Sequence, residues 1–362
     1  MRLRKIYGKE CERTIPLWKE IFPEDTDRFL AYYYSEKTKE NCIYIIEEED
    51  TICAMLHINP YQLCVGGKIL KGHYIVAVAT REEYRHRKYM SQLLKASEED
   101  MKEAGEPFTF LMPAAKEIYV PHGFRYIYRQ QRGKIKGKDR KESGYAVSFA
   151  TKKEDQELSL FSNELLMKTK DIVTYRDERY YELLRKEQES ENGNVVIVRK
   201  GKKMVGTFSY TKDEKYEIRE PLFLKGEEGA FEQAVYELTG NEQEEVSCYA
   251  YGDEYHPDIM AKILNIKAML ECVKTTKDTD FIMTITDAPD MEKIGTFHIW
   301  GTEHLHVEDC KETKNTKKIG IGDLTSIIFG YEKIDLFDLP QELKKELSKL
   351  IPLSEVFLNE VV

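Results

Sequence analysis

Apolar residues recur at helical spacing over Ile15–Phe22 and again over Thr26–Thr38, which predicts two amphipathic helices near the start of the chain. The pattern then turns β-rich. Cys42–Glu48 and Ile52–Ile58 are short apolar runs, and Gly66-Gly67 separates Tyr61–Val65 from Ile69–Thr80 as a hairpin turn would. Met90, Leu93, Leu94 and Met101 share one face of a helix expected from about Lys88 to Ala104, stopped by Gly105 and Pro107. Phe108–Met112 reads as a buried strand ended by Pro113. A short helical stretch carries Tyr119, and Gly123-Phe124 turns the chain into Arg125–Gln131. The order α-α-β-β-β-α-β-α-β predicts an α/β layer domain over 1–144, with the charged stretch Lys134–Ser143 as its linker.

A second α/β unit is expected over 145–266. Leu158–Met167, Tyr180–Leu184 and Gly229–Leu238 are helical in pattern, and Val195–Arg199, Met204–Tyr210, Glu217–Leu224 and Val246–Tyr251 are strand-like. A third unit over 267–362 has strand-like runs at Phe281–Thr286, Gly295–Trp300 and His304–Val307, and helical runs at Leu324–Phe329 and Gln341–Leu350. No internal sequence repeat is visible. The tail Leu353–Val362 stays largely apolar to its last residue, so it is expected to tuck into the structure.

At 362 residues the chain is too long for one ordinary core. Its net charge of -10 disfavours bulk binding to nucleic acid or anionic membranes and favours cationic partners such as amines. Met1–Lys5 has the charge of a signal-peptide start, but Lys9, Glu10 and Glu12 stand where an apolar segment is required. The longest apolar run, Tyr74–Ala79, is far short of the ~20 residues that span a bilayer. A cytoplasmic protein is expected. The seven cysteines are scattered without a CxxC pair, as reduced and mostly buried thiols would be.

The informative stretch is Tyr74–Leu94. An apolar strand, Tyr74–Thr80, runs into the basic loop Arg81–Lys88, which opens the amphipathic helix. A helix start carries unpaired N–H groups and a positive dipole end, which suit a diphosphate, and Arg81, Arg85, Arg87 and Lys88 add charge. A solvated basic turn before an ordinary helix explains the same residues.

Arg85-His-Arg-Lys-Tyr-Met90 resembles the acetyl-CoA-binding pattern [Q/R]-x-x-G-x-[G/A] of the GNAT superfamily. Lys88 and Met90 replace its two small residues, and the lost glycine bears on how closely backbone approaches phosphate. Along nearly the whole chain the sequence is similar to the enhanced-intracellular-survival (Eis-like) acetyltransferases. Phe22-Pro-Glu-Asp25, Phe29-Leu-Ala-Tyr-Tyr-Tyr34, Val78-Ala-Thr80, Pro113-Ala-Ala115, Ile118-Tyr-Val-Pro-His-Gly-Phe124, Met260–Leu270 and Gly322–Tyr331 carry the likeness in order.

The resemblance implies two tandem GNAT-like domains with central mixed sheets, the second degenerate, followed by a sterol-carrier-like α+β domain. It implies acetyl-CoA as co-substrate, inserted where the strand ending at Thr80 splays from its neighbour. Cofactor contacts are expected from Val78, Ala79, Thr80, Arg85, His86, Arg87, Lys88, Tyr89, Met90, Ser91, Ala114 and Ala115. Tyr119 corresponds to the catalytic tyrosine, a general acid protonated at neutral pH. The terminal carboxylate, here on Val362, corresponds to the base, with Glu360 a nearby alternative. Phe22, Glu24 and Tyr33 fall on the acceptor side, where Asp25 and Asp27 add negative charge. The family also assembles into homo-oligomers.

The expected function is N-acetylation of a primary amine on a small molecule or peptide. A catalytically impaired protein that binds CoA or an apolar ligand is the alternative, because of Lys88 and Met90. His304 and His306 would share a strand face near His298, but no further ligand has a recognised metal spacing, so no metal is expected.

Overall fold

The computed structural model describes residues 1–287 and 292–360. The chain opens with β1 (Arg2–Ile6), α1 (Ile15–Ile21), α2 (Asp27–Glu36), β2 (Cys42–Glu48), β3 (Thr51–Val65), β4 (Lys68–Thr80), α3 (Tyr89–Glu103), β5 (Phe108–Leu111), α4 (Lys116–Tyr119) and β6 (Arg125–Tyr126). It continues through β7 (Arg129–Lys136), β8 (Tyr145–Phe149), α5 (Asp155–Thr169), β9 (Ile172–Thr174), α6 (Glu178–Ser190), β10 (Asn194–Lys200), β11 (Lys203–Lys212), β12 (Tyr216–Phe223), α7 (Glu228–Thr239), β13 (Glu245–Tyr249), β14 (Glu254–Pro257) and β15 (Met260–Ile263). The last part holds α8 (Ile266–Leu270), β16 (Lys274–Thr275), β17 (Thr279–Asp287), β18 (Glu292–Gly301), β19 (His306–Asp309), β20 (Lys317–Gly320), α9 (Ile321–Ile328), α10 (Gln341–Leu347), β21 (Leu350–Ile351) and β22 (Val356–Phe357).

Local chemistry sets the helix starts. Pro16 occupies the first turn of α1, where its missing N–H costs nothing. The Thr26 hydroxyl accepts from the Phe29 N–H at 3.1 Å to open α2, and Asp177 accepts from the Tyr180 N–H at 2.8 Å to open α6. The period-two pattern of the strands then builds two cores on one sheet. Trp18, Phe29 and Tyr33 pack with Ile43, Ile45 and Met55 on one face. Tyr89, Leu93 and Met101 of α3 pack with Tyr44, Ile46 and Leu56 on the other.

The two runs predicted at Ile52–Ile58 and Tyr61–Val65 are one strand, β3, which passes through Pro60. Pro60 is tolerated because β3 changes partner there. Its pairing with β2 ends at Ile58, and its pairing with β9 starts at Leu63, so one side of Pro60 has no ladder to break.

The first sheet has the order β1-β2-β3-β4-β5-β15-β6, and the second β8-β10-β11-β12-β13-β7-β14. Position for position these are the same topology. Both contain a strand with a left-handed residue at a bulge, Ala77 (φ +51°) in β4 and Glu220 (φ +55°) in β12. In both, that strand is parallel to its next neighbour over two residue pairs only. The sixth strand of each sheet comes from the far side of the other: β15 follows the second unit yet pairs with β5 and β6, and β7 precedes β8 yet pairs with β13 and β14. Pairing therefore changes sheets between β6 and β7, ahead of the predicted linker at Lys134–Ser143, whose first residues are strand.

The third unit is α+β, a sheet of order β19-β18-β17-β20 with α9 and α10. Its core is continuous with the first sheet, since Met283, Ile285, Leu324 and Phe329 pack in one cluster with Leu63, Phe108 and Phe110. The architecture is thus two tandem α/β units with mixed sheets and an α+β C-terminal unit. Among the described residues no helix is long and apolar enough to cross a membrane.

Lys262 of β15 pins three elements together. Its ammonium meets Glu98 of α3 at 2.7 Å and Asp287 of β17 at 2.9 Å. Burial holds the Glu98 carboxyl up to about 7, although Lys262 opposes the shift. Lys262→Met would leave that carboxylate uncompensated and should cost about 3–5 kcal/mol at pH 8, read by chemical denaturation. The folded carboxyl binds its proton more tightly than the unfolded one, whose pKa is ~4.3. Stability from this group is therefore present below that value and lost as pH rises to about 7. The Lys262→Met deficit should shrink at pH 5; an equal deficit at both pH values would refute the account.

Candidate active site

β4 carries the site. It pairs with β5 only at Tyr74↔Phe110 and Ile75↔Leu111, and beyond that point the two strands diverge. The bulge at Ala77 lies on the diverging part, where β3 pairing skips from Val76 to Ala79. A forked pair of strands exposes backbone groups that an extended ligand can bond. Val78 and Thr80 are half-buried along it and Ala79 is buried.

The loop after β4 keeps the shape that a glycine would favour. Lys88 is left-handed (φ +61°, ψ +25°), as is His86 (φ +63°), and the helix starts at Tyr89, one residue later than its pattern predicts. Lys88 thus adopts the glycine-type conformation at a cost of about 1–2 kcal/mol and points into solvent. Met90 packs against the α3-side core, so neither large side chain fills the helix mouth. No side chain caps α3 and its first turn holds no acid, which leaves its first amides available to an anion.

The cations differ in commitment. Arg81 is held by Glu20 and by the Ile52 carbonyl. Arg87 lies 4.9 Å over the Tyr84 ring and 3.7 Å from Glu48, to which Tyr89 also donates. The Arg85 side chain bonds the Thr80 carbonyl at 3.5 Å and has no ion pair among the described residues, and Arg85, His86 and Lys88 are all exposed. Ala114 and Ala115 are exposed across the fork, where extended Ala115 leads into α4.

The second unit lacks such a mouth. Glu227 and Glu228 stand at the start of α7, and Glu228 accepts the Gly226 N–H at 3.0 Å. An anion would meet like charge there, which is the physical sense in which this repeat is degenerate.

Tyr119 ends α4 with its ring 5.9 Å from Phe124, in one cluster with Ile75, Val78 and Tyr89. It is 6% exposed, and burial raises its phenol to about 12, so it is protonated at neutral pH. Its hydroxyl has no hydrogen-bond partner among the described residues and is available as a donor.

The acceptor-side residues divide. Phe22 is half-buried against Trp18, at 5.9 Å, and Glu24 is exposed on the turn before α2. Tyr33, expected on the acceptor side, is fully buried, and its hydroxyl is engaged with His57, Asn59 and Asn41 at 3.0–3.2 Å. Val362 lies outside the described residues. The tail before it runs inward: β22 pairs with β9, Leu358 is fully buried, and Glu360 is 6% exposed.

Behind the fork, α6, β3, β12 and the tail enclose a cavity of about 370 Å³. A neighbouring cavity of about 90 Å³ shares Glu220, Arg219 and Asn359 with it and is also lined by Met112, the first residue past the last β4–β5 pair. Tyr74 lies within electrostatic range of Tyr61, Tyr119 and Glu360. Met112 brings the smaller cavity to the end of the β4–β5 pairing. Sequence reading passed over Glu220, Arg176 and Tyr61; the available signal was Glu220 standing in the buried phase of Ile218-Glu220-Leu222.

A histidine-based metal site gains no geometry. His298 binds Asp280 at 2.8 Å and stacks on Trp300, which stacks on His306. Among the described residues no three-ligand group could hold a metal ion.

Fork, bulge and uncapped helix mouth come together at one end of the first sheet. Residues 2–127 match the family model described as an acetyltransferase (GNAT) domain. No curated protein matches the sequence significantly. Solved structures share the fold over the full length. An Enterococcus faecalis V583 protein of unknown function, described as a probable N-acyltransferase, is 17% identical with a TM-score of 0.80, covering 100% of this chain and 99% of that one. A GCN5-related N-acetyltransferase from Kribbella flavida is 15% identical with a TM-score of 0.78, covering 99% and 97%. Eis1 from Mycobacterium abscessus is 10% identical with a TM-score of 0.70, covering 99% of each chain.

Proposed function

We propose that the protein is an acetyl-CoA-dependent N-acetyltransferase of Eis-like type, acting on a primary amine by direct attack in a ternary complex. The observation that carries this reading is the β4–β5 fork with its bulge at Ala77, set immediately before an uncapped helix mouth with Arg85, His86 and Lys88 in solvent. The fork takes the pantetheine arm, the amides of Tyr89–Ser91 take the diphosphate, and a bulge amide polarises the thioester carbonyl. Tyr119 protonates the leaving thiolate. The acceptor enters the chamber, whose lining sets Glu187, Glu220 and Glu360 among Lys37 and Arg219, and reaches the thioester past Met112.

Acetyl-CoA should raise the melting temperature. Binding to the folded state alone stabilises it by about 2.7 kcal/mol at a hundredfold excess over Kd. Thermal melts with and without the thioester check this, and no rise at millimolar acetyl-CoA would refute cofactor binding. A thiol-release assay across amines then tests transfer itself.

A further inference from the structure

The chamber contains a carboxylate pair that the first sheet does not supply. Glu220 sits at the β12 bulge, a left-handed position costing a non-glycine residue about 1–2 kcal/mol, and its side chain is buried. Glu360 reaches the same place from the tail. One Glu360 oxygen accepts from the Tyr180 hydroxyl at 3.5 Å, the Thr174 side chain lies close to the carboxyl, and the other oxygen is buried with no hydrogen-bond partner among the described residues. Gln188, 1% exposed on the same wall, also has an unpartnered acceptor oxygen. Unmet acceptors around a cavity call for a donor-rich ligand, as an ammonium is.

Resting on the acetyl-transfer reading, we propose that Glu220 and Glu360 together take the proton that the acceptor ammonium must lose, so that the second repeat and the tail supply the base to the fork of the first. The ammonium gives one proton to the pair. The neutral amine attacks the thioester carbonyl, the N–C bond forms, and the C–S bond breaks. The thiolate takes the Tyr119 proton, the amide nitrogen loses its surplus proton to restore the Tyr119 phenol, and the pair releases its proton to solvent.

The surroundings suit this role. Burial raises both carboxyls above their ordinary range; Arg176, 2.8 Å from Glu220, opposes the rise, and Glu360 adds to that of Glu220. The groups facing the pair are Arg176 before α6, Arg219 of β12, Lys37 after α2, Glu187 of α6 in its pair with Lys37, and the phenols of Tyr61, Tyr74, Tyr128, Tyr180 and Tyr181.

The test compares wild type, Glu220→Gln and Glu360→Gln in thiol release with ethanolamine, 1,5-diaminopentane, spermidine and a lysine peptide, from pH 6.5 to 10. With the best acceptor, each variant should lose about 100-fold or more in kcat/KM at pH 7.5. The loss should shrink towards pH 10, where a growing share of the amine is already neutral. Acetyl-CoA affinity, read by calorimetry, should hold within twofold. Variants within threefold of wild type, or a deficit equal at every pH, would overturn the proposal. Should Glu220→Gln fail to fold, Glu360→Gln gives the same reading. A wild type inactive with all four amines would sink the parent reading as well, a result distinct from either.

Discussion

Tyr119→Phe should lower kcat by about 100-fold or more while acetyl-CoA affinity and melting temperature barely change. The substitution removes one hydroxyl from a ring that keeps its contact with Phe124 and its place in the α3-side core. Among the described residues that hydroxyl has no hydrogen-bond partner to abandon, so its loss orphans none of their buried groups. What disappears is the proton for the departing thiolate, a contribution worth about 10²–10⁴ in rate for a positioned acid. Steady-state kinetics with calorimetric acetyl-CoA titration separate the terms. Unchanged turnover would remove Tyr119 from the chemistry, and weakened cofactor binding with normal turnover would make it a packing residue of the fork.

Gly66→Ala should be among the most damaging single changes to stability, although Gly66 lies far from the fork. It is left-handed (φ +55°), which costs alanine about 1–2 kcal/mol, and an added Cβ would stand 2.3 Å from the backbone oxygen of Cys272. Backbone cannot swing aside as a side-chain end can, so relieving the overlap should cost a further ~1–3 kcal/mol. The adjoining Gly67 is an internal control. It too is left-handed (φ +85°), but nothing lies within 4 Å of its Cβ position, so Gly67→Ala should cost only the conformational part. Denaturant titration of both variants decides. Equal losses would mean that the seam between the β3–β4 hairpin and the third unit yields easily.

How far the sequence could be read depended on the range of the forces involved. The strand Tyr74–Thr80, the basic loop and α3 were legible because a run, a turn and an amphipathic face are local patterns. The start of α3 shifted by one residue because Lys88 takes a left-handed conformation that its identity does not announce. The burial of Tyr33 was not legible, because a tyrosine among tyrosines carries no mark of its depth; its bonds to Asn41 and Asn59 form only in the folded chain. Glu220 looked like any strand carboxylate until β12, α6 and the tail closed over it. The exchange of β7 and β15 was invisible for a related reason: nothing in Met260–Ile263 names Phe108–Leu111 as its partner. The equivalence of the two sheets showed in their strand order and paired bulges, without similar residues to betray it.

That exchange bears on how the chain is made. The last strand needed between β5 and β6 ends at Ile263. At roughly 5–20 residues per second, a ribosome that has emitted residue 127 needs roughly 7–27 s more to reach it. Throughout that interval the nascent first unit offers two raw strand edges, so chaperone demand in the cell should peak while the middle of the chain is being translated.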